Sequence, residues 1–111
     1  MLFRSPQINL GSANTLISVL IDSNQIIGQY DMAGGIALAT LAGGNINAVI
    51  TNNQISNNRY GLAQIGDNIS SVISHNTIVS NNIQDEPMQG GSGLNFYGGI
   101  SNTSIVSYNI I

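Results

Sequence analysis

The sequence predicts an all-β solenoid of about three and a half coils, each built from short parallel strands, with a ladder of asparagines inside it. Three observations predict it. One phrase, an aliphatic pair, two polar residues, an asparagine, one residue and an isoleucine, occurs four times: Leu20 to Ile26, Val49 to Ile55, Val72 to Ile78 and Ile105 to Ile111. Its asparagines, Asn24, Asn53, Asn76 and Asn109, are 29, 23 and 33 residues apart. A constant motif with variable spacers marks stacked structural units whose length changes fall in side loops. Finally, β-branched residues are mixed with Asn, Ser and Gly in runs of four to seven, which suits strands and turns and not helices.

Taken in order, the first strand type begins at Gln7-Ile8-Asn9-Leu10-Gly11 and returns as Gly35-Ile36-Ala37-Leu38, Gly61-Leu62-Ala63-Gln64 and Gly93-Leu94-Asn95-Phe96. Period-two alternation sends Ile8, Leu10, Ile36, Leu38, Leu62, Leu94 and Phe96 inward. Asn9, Ala37, Ala63 and Asn95 then face outward. Gln64 interrupts the inward column, and Leu62 and Ile65 cannot share one face of a regular strand, so a bulge or early turn is expected there.

A connector follows: Ala42-Gly43-Gly44-Asn45-Ile46, Gly66-Asp67-Asn68-Ile69 and Gly98-Gly99-Ile100-Ser101-Asn102. The second strand type comes next, with Ile46, Ala48 and Ile50 inside, then Ile69, Ser71 and Ile73. Leu20, Val49, Val72 and Ile105 between them point outward in one row. The asparagine phrase ends this strand. Asn tolerates the left-handed conformation that a sharp bend needs, and asparagines one coil apart, roughly 4.8 Å along the axis, can bond amide to amide up the stack. Ile21, Ile50, Ile73 and Val106 before the asparagine, and Ile26, Ile55, Ile78 and Ile111 after it, form two aliphatic columns.

The variable spacer comes last and always leaves from the same corner: residues 27–34, 56–60 and 79–92. Length variation confined to one corner is how a solenoid builds a binding face. That corner carries the candidate ligand-binding residues Tyr30, Asp31, Arg59, Tyr60, Asp85 and Glu86. The Asp85-Glu86 pair could hold calcium with Asn81, Asn82 or Asp31, or act as acid and base on a glycosidic bond; a solvated loop tip is the plainer account. Arg59, one coil from Asp31 and Asp85, reads most simply as half of a salt bridge between stacked loops. Tyr30, Tyr60 and Tyr97 could offer sugar-stacking platforms. Asn58, within the spacer, and His75, the only histidine, read as surface residues.

Composition excludes several classes. Six per cent of residues are charged, lysine is absent and the net charge is −3, so no basic surface exists to neutralise nucleic-acid phosphates or anionic lipid. Absence of cysteine excludes disulfides and thiolate metal sites. No catalytic residue is assigned, no cofactor is expected beyond weakly held calcium, and no run is apolar enough to insert in a membrane. Residues 1–111 read as one segment of a longer solenoid, with no signal peptide at its start. Self-association is expected through open coil ends or through the Leu20, Val49, Val72 and Ile105 row.

The columns, the asparagine corner and the run Asn57-Asn58-Arg59-Tyr60-Gly61-Leu62 resemble the repeats of the pectate-lyase-like superfamily, over nearly the whole chain from Gln7 to Ile111. The resemblance implies a right-handed, single-stranded parallel β-helix. It also implies a module that binds extracellular polysaccharide, or belongs to a protein that processes it, at a cell surface, outside the cell or in a periplasm. A purely structural or adhesive solenoid, of the surface-passenger or tail-fibre type, is the alternative. If the parent were an enzyme, the resemblance implies a polysaccharide lyase, glycoside hydrolase or epimerase. Yet there is no Asp-Asp pair, Arg4 and Arg59 lie in no matching motif, and Tyr60-Gly61 is followed by Leu62, Ala63 and Gln64 where acidic residues and histidine would stand. The outward row Asn9, Ala37, Ala63 and Asn95 cannot transfer a proton at neutral pH.

Overall fold

A computed structural model describes residues 7–9, 15–28, 34–83 and 93–111. These residues form eleven strands: β1 (Gln7–Asn9), β2 (Leu16–Asp22), β3 (Gln25–Ile27), β4 (Ile36–Ala39), β5 (Asn45–Thr51), β6 (Gln54–Ser56), β7 (Leu62–Ile65), β8 (Ile69–Ser74), β9 (Thr77–Val79), β10 (Leu94–Tyr97) and β11 (Thr103–Ser107). Among the described residues there is no helix. Three separate sheets result, ordered β1-β4-β7-β10, β2-β5-β8-β11 and β3-β6-β9. Every pairing is parallel. The chain therefore visits the three sheets in turn, and each strand pairs with the one a full circuit later.

Register places like on like. Ile17, Ile46 and Ile69 align, as do Ile21, Ile50, Ile73 and Val106, and Ile26, Ile55 and Ile78. A one-residue slip would turn these columns to solvent, so the aliphatic pattern itself selects the register. Ile36, Leu38, Ile46, Ile50, Ile55, Leu62, Ile69, Ile73 and Ile78 are almost wholly buried, each worth about 1.5 to 3 kcal/mol relative to exposure. The last circuit is open: Phe96 is 46 %, Val106 43 % and Ile111 64 % exposed.

The asparagine ladder runs through the corner between the second and third sheets. Each amide oxygen accepts from the backbone N–H and the Nδ2 of the asparagine one circuit earlier: Asn53 Oδ1 from Asn24 at 3.0 and 3.1 Å, Asn76 Oδ1 from Asn53 at 2.9 and 2.9 Å, Asn109 Oδ1 from Asn76 at 2.9 and 2.9 Å. Nδ2 also reaches a carbonyl of the circuit above, from Asn53 to Ile21, Asn76 to Ile50 and Asn109 to Ile73. Polar groups that a tight bend would strand in the interior are thereby satisfied.

Three expectations need correction. The left-handed residue at this corner is not the asparagine but the one before it: Ser23, Asn52, His75 and Tyr108 have φ of 58°, 56°, 57° and 54°. That residue makes the bend, which frees the asparagine to turn inward and bond. Secondly, Asn58 is not a surface residue. It is 1 % exposed and heads a second ladder, its N–H and Nδ2 both donating to Asn81 Oδ1 at 3.1 Å and its Nδ2 also to Ile26 O at 3.0 Å. Asn81 Nδ2 continues to Ile55 O. Here too the preceding residues, Asn57 and Ser80, are left-handed. A lone Asn102 repeats the geometry at the entry to β11, accepting from Ile69 N–H and donating to Gly66 O at 2.8 Å each.

The third correction concerns Gln64. β7 has no bulge; it pairs residue for residue with β4 and β10. Gln64 stands in the inward column between Leu38 and Phe96, 1 % exposed, and Ser71 Oγ donates to its Oε1 at 2.9 Å. A hydroxyl from the neighbouring sheet is thus what lets an amide occupy a core position.

Candidate functional site

The outer face of the second sheet is assembled from the outward residues of β2, β5, β8 and β11. Register sets them in three rows across four strands: Ser18, Asn47, Ser70 and Thr103; Leu20, Val49, Val72 and Ile105; Asp22, Thr51, Ser74 and Ser107. The apolar row expected from the sequence is therefore continuous, and Leu20, Val49 and Ile105 are exposed. It is flanked by small hydroxyls and amides. A shallow groove of about 420 Å³ lies over Ser18, Leu20, Asn47, Val49, Ser70 and Val72.

Asp22 is the only charged member of these rows. Its Oδ1 accepts from Asn52 Nδ2 and Ser23 Oγ, both at 3.0 Å. The Asn52 amide first, and the Ser23 hydroxyl second, hold the carboxyl below its ordinary range, so it is ionised at neutral pH and has no proton to give. The rest of the face presents hydroxyls, amides and aliphatic side chains, groups that bind by shape and hydrogen bonding.

Along one edge of this face runs the left-handed corner residue of each circuit, its side chain turned to solvent. The exposed rings of His75 and Tyr108 stack there, centroids 5.1 Å apart and planes 23° from parallel. The reading of His75 as a surface histidine holds. Tyr108, 81 % exposed, offers an aromatic surface at this corner and not on the spacers.

Of the predicted loop corner, Arg59 and Tyr60 are half-buried, and the Tyr60 ring lies over Gly34. Tyr30, Asp31, Asp85 and Glu86 lie outside the described residues, and with them both proposed partners of Arg59. Asn81 does not suit a calcium site, because its amide oxygen and nitrogen are both committed to the inner ladder. Among the described residues no three His, Cys, Asp or Glu side chains come together as metal ligands. The row expected to face outward on the first sheet is closed at its centre: Ala37 and Ala63 are 4 % and 6 % exposed. Those two side chains are closed to solvent.

No family model matches the chain, and neither a curated protein nor a solved structure matches it.

Proposed function

We propose that the chain forms a right-handed parallel β-helix of the pectate-lyase-like kind and serves as a non-catalytic adhesive module that takes a neutral polysaccharide along the outer face of the second sheet. The observation that carries this reading is the register of three rows, polar, apolar and polar, across β2, β5, β8 and β11, with Asp22 their single charge. Parallel strands joined by crossovers are right-handed in nearly all proteins, which supports the hand. The apolar row suits the C–H face of a sugar ring, and Ser18, Asn47, Ser70, Thr51 and Ser74 suit its hydroxyls, with the repeat of roughly 4.8 Å between strands allowing a long chain to lie across them. Such a ligand would place the protein outside the cytoplasm, at a cell surface or in a periplasm.

Retention on insoluble cellulose and chitin, and retardation in gels containing soluble neutral glucans, test the proposal. Val49→Arg and Val72→Arg, which put a charge into an exposed row without touching the core, should weaken retention about tenfold or more, a loss of roughly 1.4 kcal/mol. Asp85→Asn and Glu86→Gln should leave it unchanged. Retention indifferent to the row variants, or turnover of pectin or alginate that Asp85→Asn or Glu86→Gln abolishes, would overturn the reading.

The exposure of Leu20 at 66 % and Ile105 at 57 % favours one second reading, a purely structural solenoid that pairs side to side through the same row. In that case the row variants would convert a dimer to a monomer, and no glycan would be retained.

A further inference from the structure

The second sheet differs from the other two in how the chain enters and leaves it. The spacers that vary in length run from the third sheet to the first, between β3 and β4, β6 and β7, and β9 and β10. None of them joins the second sheet. Its described entries are the short connectors 40–44, 66–68 and 98–102, and its exits to the third sheet are the two-residue corners that open with Ser23, Asn52 and His75. Among the described residues, both edges of the three rows are therefore low. The face between them is also unbroken, since β2, β5, β8 and β11 pair residue for residue without a bulge.

That openness decides what the face can hold well. A ligand held in a pocket is enclosed, with about 70 to 90 % of its surface buried. An open sheet covers only one side of a dissolved chain, which must also give up its own conformational freedom to lie along the rows. An ordered solid has given up that freedom already and needs contact on one side only. The side chains suit such contact, because no Lys, Arg, Glu, Gln or Met stands among the twelve row positions. Val49, Thr51, Val72, Thr103 and Ile105 are β-branched and stiff at χ1, so little rotamer freedom is lost when they meet a surface. Charge agrees as well: Asp22 is the single charge among the twelve, and a neutral solid brings none against it.

We infer that the ligand of this face is a neutral polysaccharide in its solid, ordered form, met as a surface of many packed chains and not as one dissolved chain. The inference rests on the polysaccharide reading given above and narrows it. The rows make a two-dimensional array, with a repeat of roughly 4.8 Å from strand to strand and roughly 6.6 Å from row to row. Packed sugar chains present a matching alternation, ring C–H stripes beside hydroxyl stripes, fixed in place before the protein arrives. The apolar row lies on the C–H stripes. Ser18, Asn47 and Ser70 on one side, and Thr51 and Ser74 on the other, meet the hydroxyls.

Adsorption isotherms on crystalline cellulose and crystalline chitin, set against the same polymers swollen to the amorphous state and compared per unit of accessible surface, test the inference. Affinity for the crystalline form should be about tenfold higher or more. Cellohexaose and chitohexaose at millimolar concentration should not displace the bound protein. Ser70→Lys, at an exposed position in a polar row, separates the two kinds of ligand, because a rigid solid cannot bend round the longer side chain and a flexible chain can. Its loss of affinity should be about tenfold greater on the crystalline form than on the swollen one. Gln54→Lys, exposed on the third sheet, should change neither. The comparison of the two forms with the unmodified protein stands whether or not a variant folds. Equal affinity for both forms, displacement by either hexasaccharide, or equal losses on both forms at a folded Ser70→Lys would overturn the inference and leave the polysaccharide reading in place. No retention on any form would overturn both.

Discussion

Asn76→Ala is expected to remove about 3 to 5 kcal/mol of stability, and Asn58→Ala to cost far more than a surface substitution. Asn76 is 1 % exposed, so water cannot take over the bonds that its amide leaves. Its Oδ1 accepts from Asn53 N–H and Nδ2, and its Nδ2 serves Ile50 O, Ser74 O and Asn109 Oδ1, all at 2.9 to 3.0 Å. Truncation strands donors on the circuit above and acceptors on both sides, at about 1 to 3 kcal/mol for each group left unsatisfied. Against a total of about 5 to 15 kcal/mol for a domain of ordinary stability, one such loss brings the fold near its limit. Asn58 matches it on the donor side, with its N–H and Nδ2 donating to Asn81 Oδ1 and its Nδ2 also to Ile26 O and Ser56 O. Asn47→Ala, on the exposed face, should stay within about 0.5 kcal/mol of the parent. Urea melts followed by circular dichroism measure all three. Losses below about 1 kcal/mol at both Asn76 and Asn58 would show that the ladders are not what closes the corners.

The difference between the two ladders shows what sequence can reveal here. Asn24, Asn53, Asn76 and Asn109 are legible because aliphatic residues flank them at constant offsets, and the same offsets give the columns that the three sheets display. Asn58 and Asn81 each follow a first-ladder asparagine by five residues. That offset was available, but Asn57, Arg59 and Asn82 surround them with polar residues in the spacer that varies in length, and a buried amide there looks like any loop asparagine. The left-handed positions, one residue before the expected ones, are hidden for a different reason. Ser23, Asn52, His75 and Tyr108 share no chemical type, so the conformation they share leaves no compositional trace, whereas the asparagine beside them is a familiar left-handed residue.

Gln64 departs from the bulge expected there because polarity along one strand does not show a partner on another. Its partner, Ser71, lies on a strand of another sheet, and only the fold brings the amide and hydroxyl to 2.9 Å. The candidate site divides along the same line. Rows on a regular strand follow from register, which is why Leu20, Val49, Val72 and Ile105 were found. Side chains on spacers follow from loop conformation, which no repeat encodes. His75 against Tyr108 is an intermediate case: both stand at the same place in the repeated phrase, but the stacking of their rings depends on two left-handed bends one circuit apart.

Gly35→Ala is expected to destabilise the fold by about 3 kcal/mol or more, at the upper end of what overpacking costs, while Gly34→Ala, one residue away, should cost about 1 kcal/mol. Neither position has the positive φ that demands glycine for conformational reasons, so the difference is one of space. At Gly35 the chain enters β4 pressed against the next circuit: its N–H donates to Tyr60 O, and Ile36 N–H donates to Gly61 O, both at 2.9 Å. A methyl group there would overlap the carbonyl oxygen of Gly61 and come within 2.7 Å of Tyr60 O. These are backbone atoms held in the pairing of β4 with β7, so relief requires parting two circuits whose spacing the sheet hydrogen bonds fix. At Gly34 a methyl would meet the ring of Tyr60 instead, a half-buried side chain able to swing aside. Denaturant midpoints of the two variants, read at equal m-value, decide the matter. Equal losses would mean that the circuits can separate at this corner as readily as a tyrosine ring can turn, and the close approach of Gly35 to Gly61 would then not be what sets the spacing of the stack.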